Sequence, residues 1–143
     1  DQLGRPLRRD ASGEPAVPDG PPLPPDAALD LAQELIDSGL AFRAHEVLEA
    51  SWKAAPAHER ELWKGLAQVM VGLTHAQRGN ATGAVVLLRR GGRRVAEYAQ
   101  SPPHGISAAA VARFAAELAD RIERDGLAAV SPATLRVSLR TAR

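Results

Sequence analysis

After residue 26, apolar side chains recur every three to four positions, and the recurrence breaks at five points marked by glycine or proline. Leu29, Ala32, Leu35 and Ile36 follow Asp26, a candidate N-cap, and stop at Ser38-Gly39, which predicts a helix over about 27–38. A second predicted helix, about 41–55, ends at Pro56, where the missing amide donor stops it. The third and longest, about 58–78, carries Leu62, Leu66, Val69 and Leu73, widened by Trp63 and Met70, and ends at Gly79-Asn80. A fourth over about 81–99 shows Ala84, Leu87, Leu88, Val95 and Tyr98 before Ser101-Pro102-Pro103, and a fifth over about 107–125 shows Val111, Phe114, Leu118 and Ile122 before Gly126. Leu135, Val137 and Leu139 alternate with polar residues in the manner of a strand, with no partner strand elsewhere in the sequence.

Residues 1–25 hold seven of the eleven prolines, so they read as an extended arm. The predicted organisation is therefore a Pro-rich arm over 1–25, a single helical domain over 26–126 and a C-terminal tail over 127–143. Gly39, Ala41, Ala44 and Leu48 correspond, forty residues on, to Gly79, Ala81, Ala84 and Leu88. Each set opens the second helix of a pair, as in tetratricopeptide-like hairpins. The fold expected is all-α, a compact bundle of about five helices built from antiparallel helical hairpins.

Composition agrees. Hydrophobic residues make up 45% of the chain but aromatics only 3%, which suits close-packed helices better than strands. Lys plus Arg is 18 against 17 Asp plus Glu, so no global field draws the chain to nucleic acid or an anionic membrane. There is no cysteine, which excludes disulfides, thiolate ligands and a cysteine nucleophile. No run of about 18 apolar residues occurs, so no membrane association is expected and the cytoplasm is the expected location. Sixteen of the 18 basic residues are arginine, which reads as the codon bias of a GC-rich genome.

The candidate chemistry lies in "FRAHEVLEASWKAAP", residues 42–56. At about 100° per residue, His45, Glu46 and Glu49 fall on one side beside Trp52, while Ala44, Val47, Leu48, Ser51 and Ala55 form the opposite face. On the third helix Lys64, Gln68 and His75 share a stripe flanked by Gly65 and Gly72, a smooth strip on which another helix can sit. Mirror pairing about Pro56–His58 sets His45 near Gln68 or Val69 and Glu49 near Gly65, with His75 further along toward Gly39 and Phe42.

The run His45-Glu46, Glu49, Trp52, then Gly65-Leu66-x-Gln68, His75, Gly79-Asn80 and Gly83-Ala84 resembles the bacterial and archaeal all-helical family catalogued as domain of unknown function 309. The resemblance spans about residues 29–98. It implies an all-α bundle and no established activity.

Three readings of the polar residues follow. In the first, His45, Glu49 and Gln68 form a hydrogen-bonded structural cluster covered by Trp52, in a non-enzymatic protein that binds a protein partner or a second copy of itself. In the second, His45 and Glu49, four residues apart, hold a metal with Glu46 or His75, although neither the zincin nor the di-iron helix pattern is present. In the third, the same histidines and glutamates act as acid and base in a hydrolase-type enzyme. The first is preferred, and no cofactor is expected. Arg89, Arg90, Arg93 and Arg94 form a possible basic patch opposite Ala84, Leu88 and Gly91, but no aromatics interleave with them, so nucleic acid is not the expected ligand. Arg136, Arg140 and Arg143 mark a basic tail expected to be loose. His58 and His104, beside loop prolines, are expected to be exposed. Gly91-Gly92 is explained by close helix contact, with a kink as the alternative.

Overall fold

The computed structural model describes residues 23–140. Most of the proline-rich arm lies outside those residues, as does Arg143. Five α-helices follow in chain order: α1 (Pro25–Asp37), α2 (Ala41–Ala54), α3 (Ala57–Gln77), α4 (Ala81–Ala96) and α5 (Ala108–Asp125). Each packs chiefly on its neighbour in sequence, α3 against α4 most extensively. No helix among the described residues is long and apolar enough to cross a membrane.

The helix starts reflect simple chemistry. Proline occupies the first position of α1, where its missing N–H costs nothing. Asp26 therefore sits inside the first turn and not at the cap, where its carboxylate still faces the positive end of the helix. Asn80 caps α4 by accepting the Gly83 N–H at 3.0 Å. The two halves of the forty-residue repeat close their helices identically. Gly39 and Gly79 take φ values of 78° and 80°, and the next residue returns its N–H to the helix, Leu40 to Leu35 O and Asn80 to His75 O, both at 2.8 Å. This is the left-handed glycine stop that the sequence signals. Ala44, Leu48, Ala84 and Leu88 are all fully buried.

α3 is the axis of the domain. Leu62, Trp63, Leu66, Val69, Met70 and Leu73 are essentially inaccessible, and each large apolar side chain removed from water is worth about 1.5–3 kcal/mol. α4 lies on the strip made by Gly65 and Gly72, and it contributes a glycine of its own. A Cβ at Gly91 would stand 2.7 Å from the Gly65 carbonyl oxygen and 2.8 Å from the Val69 nitrogen, while one at Gly65 would stand 2.8 Å from Arg94 Cβ. The Gly91-Gly92 pair thus marks close contact, and α4 runs unbroken through it.

Residues 127–140 pack on the helices. Leu135, Val137 and Leu139 are buried, so their alternation is real, but their partner is a side chain. Gln33 of α1 donates through Nε2 to Val137 O at 2.9 Å and accepts the Leu139 N–H at Oε1 at 2.8 Å, imitating one residue of a strand. Ser107 N donates to Leu139 O at 2.8 Å, beside an antiparallel bridge between Ile106 and Arg140. Arg140, expected on a loose basic tail, is only 14% exposed and pairs with Asp26 at 3.1 Å and with Asp30. Pairing at both ends of the segment is what the sequence pattern alone does not reveal.

The α3–α4 crossing yields a test. Alanine favours a helix over glycine by about 1 kcal/mol, yet Gly91→Ala should lower the unfolding free energy by about 2 kcal/mol or more, because the methyl meets rigid backbone. Gly92→Ala, whose Cβ would lie 3.1 Å from Ala115 Cβ, should change it by less than about 1 kcal/mol. Urea denaturation of both variants checks the contrast.

Candidate functional site

On α2, Phe42, His45, Glu49 and Trp52 recur at helical spacing, and all four are half-buried, as is Glu46. On α3 the matching stripe is Lys64, Gln68, Val71 and His75, also half-buried. The two stripes face the same side: the Lys64 ammonium lies 5.3 Å from the centre of the Trp52 ring, where the π face attracts a cation. Lys64 thus stacks on Trp52, while Glu61 is held by Arg94.

His45 and Glu49 approach each other on α2, with Nε2 and Oε1 3.6 Å apart, outside hydrogen-bond range. His45 Nδ1 is buried and has no hydrogen-bond partner, while the ring packs 5.3 Å from Phe42. Gln68 does not complete this cluster. Its Oε1 accepts instead from Arg94 Nη1 at 3.4 Å, because the glycine strip brings α4 closer to that side of α3 than α2 comes. The expected His45–Glu49–Gln68 network is therefore corrected to a His45–Glu49 approach and a separate Gln68–Arg94 contact.

His75 lies at the corner joining α3 to α4. Asn80 Nδ2 donates to its Nδ1 at 3.1 Å, and its ring covers Gly83, where a Cβ would come within 2.9 Å of His75 Cγ. The space toward Gly39 and Phe42 belongs to its neighbours: Gln77 Nε2 donates to Gly39 O at 3.1 Å, and Arg78 lies over the Phe42 ring. Among the described residues no three His, Asp or Glu side chains converge to hold an ion, so His45, Glu49 and His75 are not brought together.

The four arginines of α4 divide into two pairs. Arg89 reaches α5 and binds Asp120 and Glu123, both at 2.9 Å. Donating to these two carboxylates, Glu123 foremost, holds the guanidinium even more firmly protonated than usual, and the same bonds depress the Glu123 carboxyl. Arg94 reaches α3 and binds Glu61 at 2.9 Å. Arg90 and Arg93 are exposed. Two of the four cations thus already neutralise acids of neighbouring helices, which removes the continuous basic stripe that phosphate tracking needs.

A second polar cluster lies at the start of α3. The Glu59 side chain is 12% exposed. Its Oε1 accepts from Trp63 Nε1 at 3.2 Å and from His104 Nε2 at 2.9 Å. His104 sits with φ 59° between Pro103 and Gly105, a left-handed backbone that costs a non-glycine residue about 1–2 kcal/mol. The Glu59 bond and the Trp63 ring, 5.9 Å away, hold it there. His104 is therefore an inward-tied residue, whereas His58 is 81% exposed as expected. The sequence separates Glu59 from His104 by 45 positions, and no spacing rule links them. The one local signal was Glu59 four residues before Trp63.

A tryptophan-anchored, all-α domain with paired His and Glu side chains is the class this geometry defines. Residues 29–87 match the model of a family described as a domain of unknown function (DUF309). The match takes in α1 to the middle of α4, including His45, Glu46, Glu49, Trp52, Gln68 and His75, and it leaves out His104. No curated protein and no solved structure matches the chain.

Burial raises the Glu59 carboxyl, but hydrogen bonds from His104 and Trp63 and the charges of His104 and His58 outweigh it, leaving its pKa below the usual glutamate value. A carboxyl depressed on folding stabilises the protein fully above its unfolded pKa, and that contribution is lost as pH falls through the folded value. Glu59→Gln should therefore cost about 1–3 kcal/mol at pH 7. It should also flatten the fall in stability below about pH 4.5, measured by urea unfolding at a series of pH values.

Proposed function

We propose that the domain is a non-enzymatic, self-associating helical module whose contact face is the α2–α3–α4 surface. The observation that carries this reading is the set of half-buried stripes meeting on that surface: Phe42, His45, Glu49 and Trp52 from α2, Lys64, Gln68, Val71 and His75 from α3, and Leu87 and Arg94 from α4, with the exposed Arg90 beside them. Phe42, Val71 and Leu87 lie outside the packed core and the apolar side chains leaning on it, so their remaining surface awaits a partner. A half-exposed tryptophan with a cation on its face is also the type of residue that anchors interfaces.

Charge favours a second copy as that partner. The α2 edge carries Glu46 and Glu49, and the α4 edge carries Arg90, which is exposed. A two-fold axis over the middle of α3 lays the acidic edge of one copy on the basic edge of the other, the self-complementarity that a symmetric dimer requires. The tetratricopeptide-like hairpin arrangement fits the same role, since stacked helix pairs offer broad faces for protein contact.

Sedimentation equilibrium across about 1–200 μM protein should show a monomer–dimer equilibrium with a micromolar Kd. Trp52→Ala should raise that Kd about tenfold or more. Glu49→Arg and Arg90→Glu should each weaken association, and their combination should restore it. A monomer at every concentration, or a dimer indifferent to Trp52→Ala, would contradict the reading.

A further inference from the structure

The N-terminal end of α3 borders a cleft of about 330 Å³ whose walls include Leu23, Pro25, Ala54, Pro56 and Trp63, with Glu59 as its charged group. The volume falls at the lower end of the range that holds small ligands, about 300–1,000 Å³. The lining is apolar apart from Glu59 and Ser51, so whatever enters gains most of its binding from hydrocarbon surface and its orientation from the carboxylate.

That carboxylate is unevenly used. Oε1 already takes the Trp63 indole N–H and the His104 N–H. Oε2 has only His58 Nε2 nearby, at 3.7 Å and on a ring that is 81% exposed, too far for a hydrogen bond. An ionised carboxylate has about four acceptor positions, so two on Oε2 stay open. Among the described residues the one fully buried side-chain polar atom without a partner is His45 Nδ1, so Oε2 keeps access to open space. The two N–H donors fix the carboxylate in place, and a fixed charge beside an apolar wall binds a complementary ion more strongly than a mobile one in water.

We infer that this cleft is a binding site for a small primary amine, its ammonium held by Glu59 Oε2 and its apolar body lying against Leu23, Pro25, Ala54 and Pro56 above Trp63. A neutral ligand of the same shape leaves the open acceptor unused, and an anion is repelled by Glu59. The site is separate from the α2–α3–α4 face, and Trp63 serves as its reporter where Trp52 reports the other surface.

The probe is phenethylammonium, compared with 2-phenylethanol, titrated into the full chain while the two tryptophan indole N–H resonances are followed by ¹⁵N NMR. The amine should shift the Trp63 signal along a saturating curve with Kd about 1 mM or tighter, and the alcohol should bind at least about tenfold more weakly, a difference of about 1.4 kcal/mol. Glu59→Gln should erase the preference for the amine. Ala54→Phe, which leaves the Glu59 bonds in place and fills the cleft from α2, should weaken both ligands about tenfold or more and decides the matter if Glu59→Gln fails to fold. The proposal is overturned if the two ligands bind equally well, if the amine moves Trp52 and not Trp63, if Ala54→Phe leaves amine binding unchanged, or if no shift saturates.

Discussion

The α3–α4 crossing is the contact on which the rest of the structure depends. Gly65 and Gly72 on one helix and Gly91 on the other bring the two backbones closer than any side chain permits. Each glycine weakens its own helix by about 1 kcal/mol relative to alanine, and the dense packing of Leu66, Val69, Leu73, Leu88 and Val95 at the crossing offsets that cost. The crossing also decides where polar side chains go. With α4 pressed against one flank of α3, Gln68 meets Arg94, Arg94 meets Glu61 and His75 settles on Gly83. Lys64, on the other flank, leans over Trp52. Polar residues that share one stripe in sequence are thereby divided between two helix pairs.

The helices were legible because their signals are local. Glycine at positive φ ends α1 and α3, proline separates α2 from α3, and an asparagine cap opens α4. Even the forty-residue repeat is reproduced bond for bond at the two glycine stops. The candidate site was legible only to the level of helix faces. The sequence puts His45, Glu49 and Trp52 on one face of α2, and the structure agrees, but it carries no information about which neighbour lies closer to Gln68, since that depends on how deeply α4 sinks into the glycine strip.

Two features were invisible for a related reason. The alternation of Leu135, Val137 and Leu139 reads as a strand without a partner because its partner is the amide of Gln33, more than a hundred residues away. His104 reads as a loop histidine because nothing in Pro102-Pro103-His104-Gly105 points to Glu59. In both cases polar bonds join distant segments, and hydrophobic periodicity does not register such links. They nonetheless shape the surface: the tail fastens α1, whose first residues wall the cleft, and His104 fixes the carboxylate within it.

Joined at the glycine crossing, α3 and α4 are expected to open last. Native-state hydrogen exchange measures this directly, because amides in the most stable unit exchange only through global unfolding. Amides near Leu66–Met70 on α3 and Leu88–Gly92 on α4 should share the highest protection, with exchange free energies equal to that of complete unfolding and a common dependence on denaturant. If the α4 amides exchange well before those of α3, while α2 and α3 remain protected together, the glycine crossing is not what holds the domain, and the central claim is wrong.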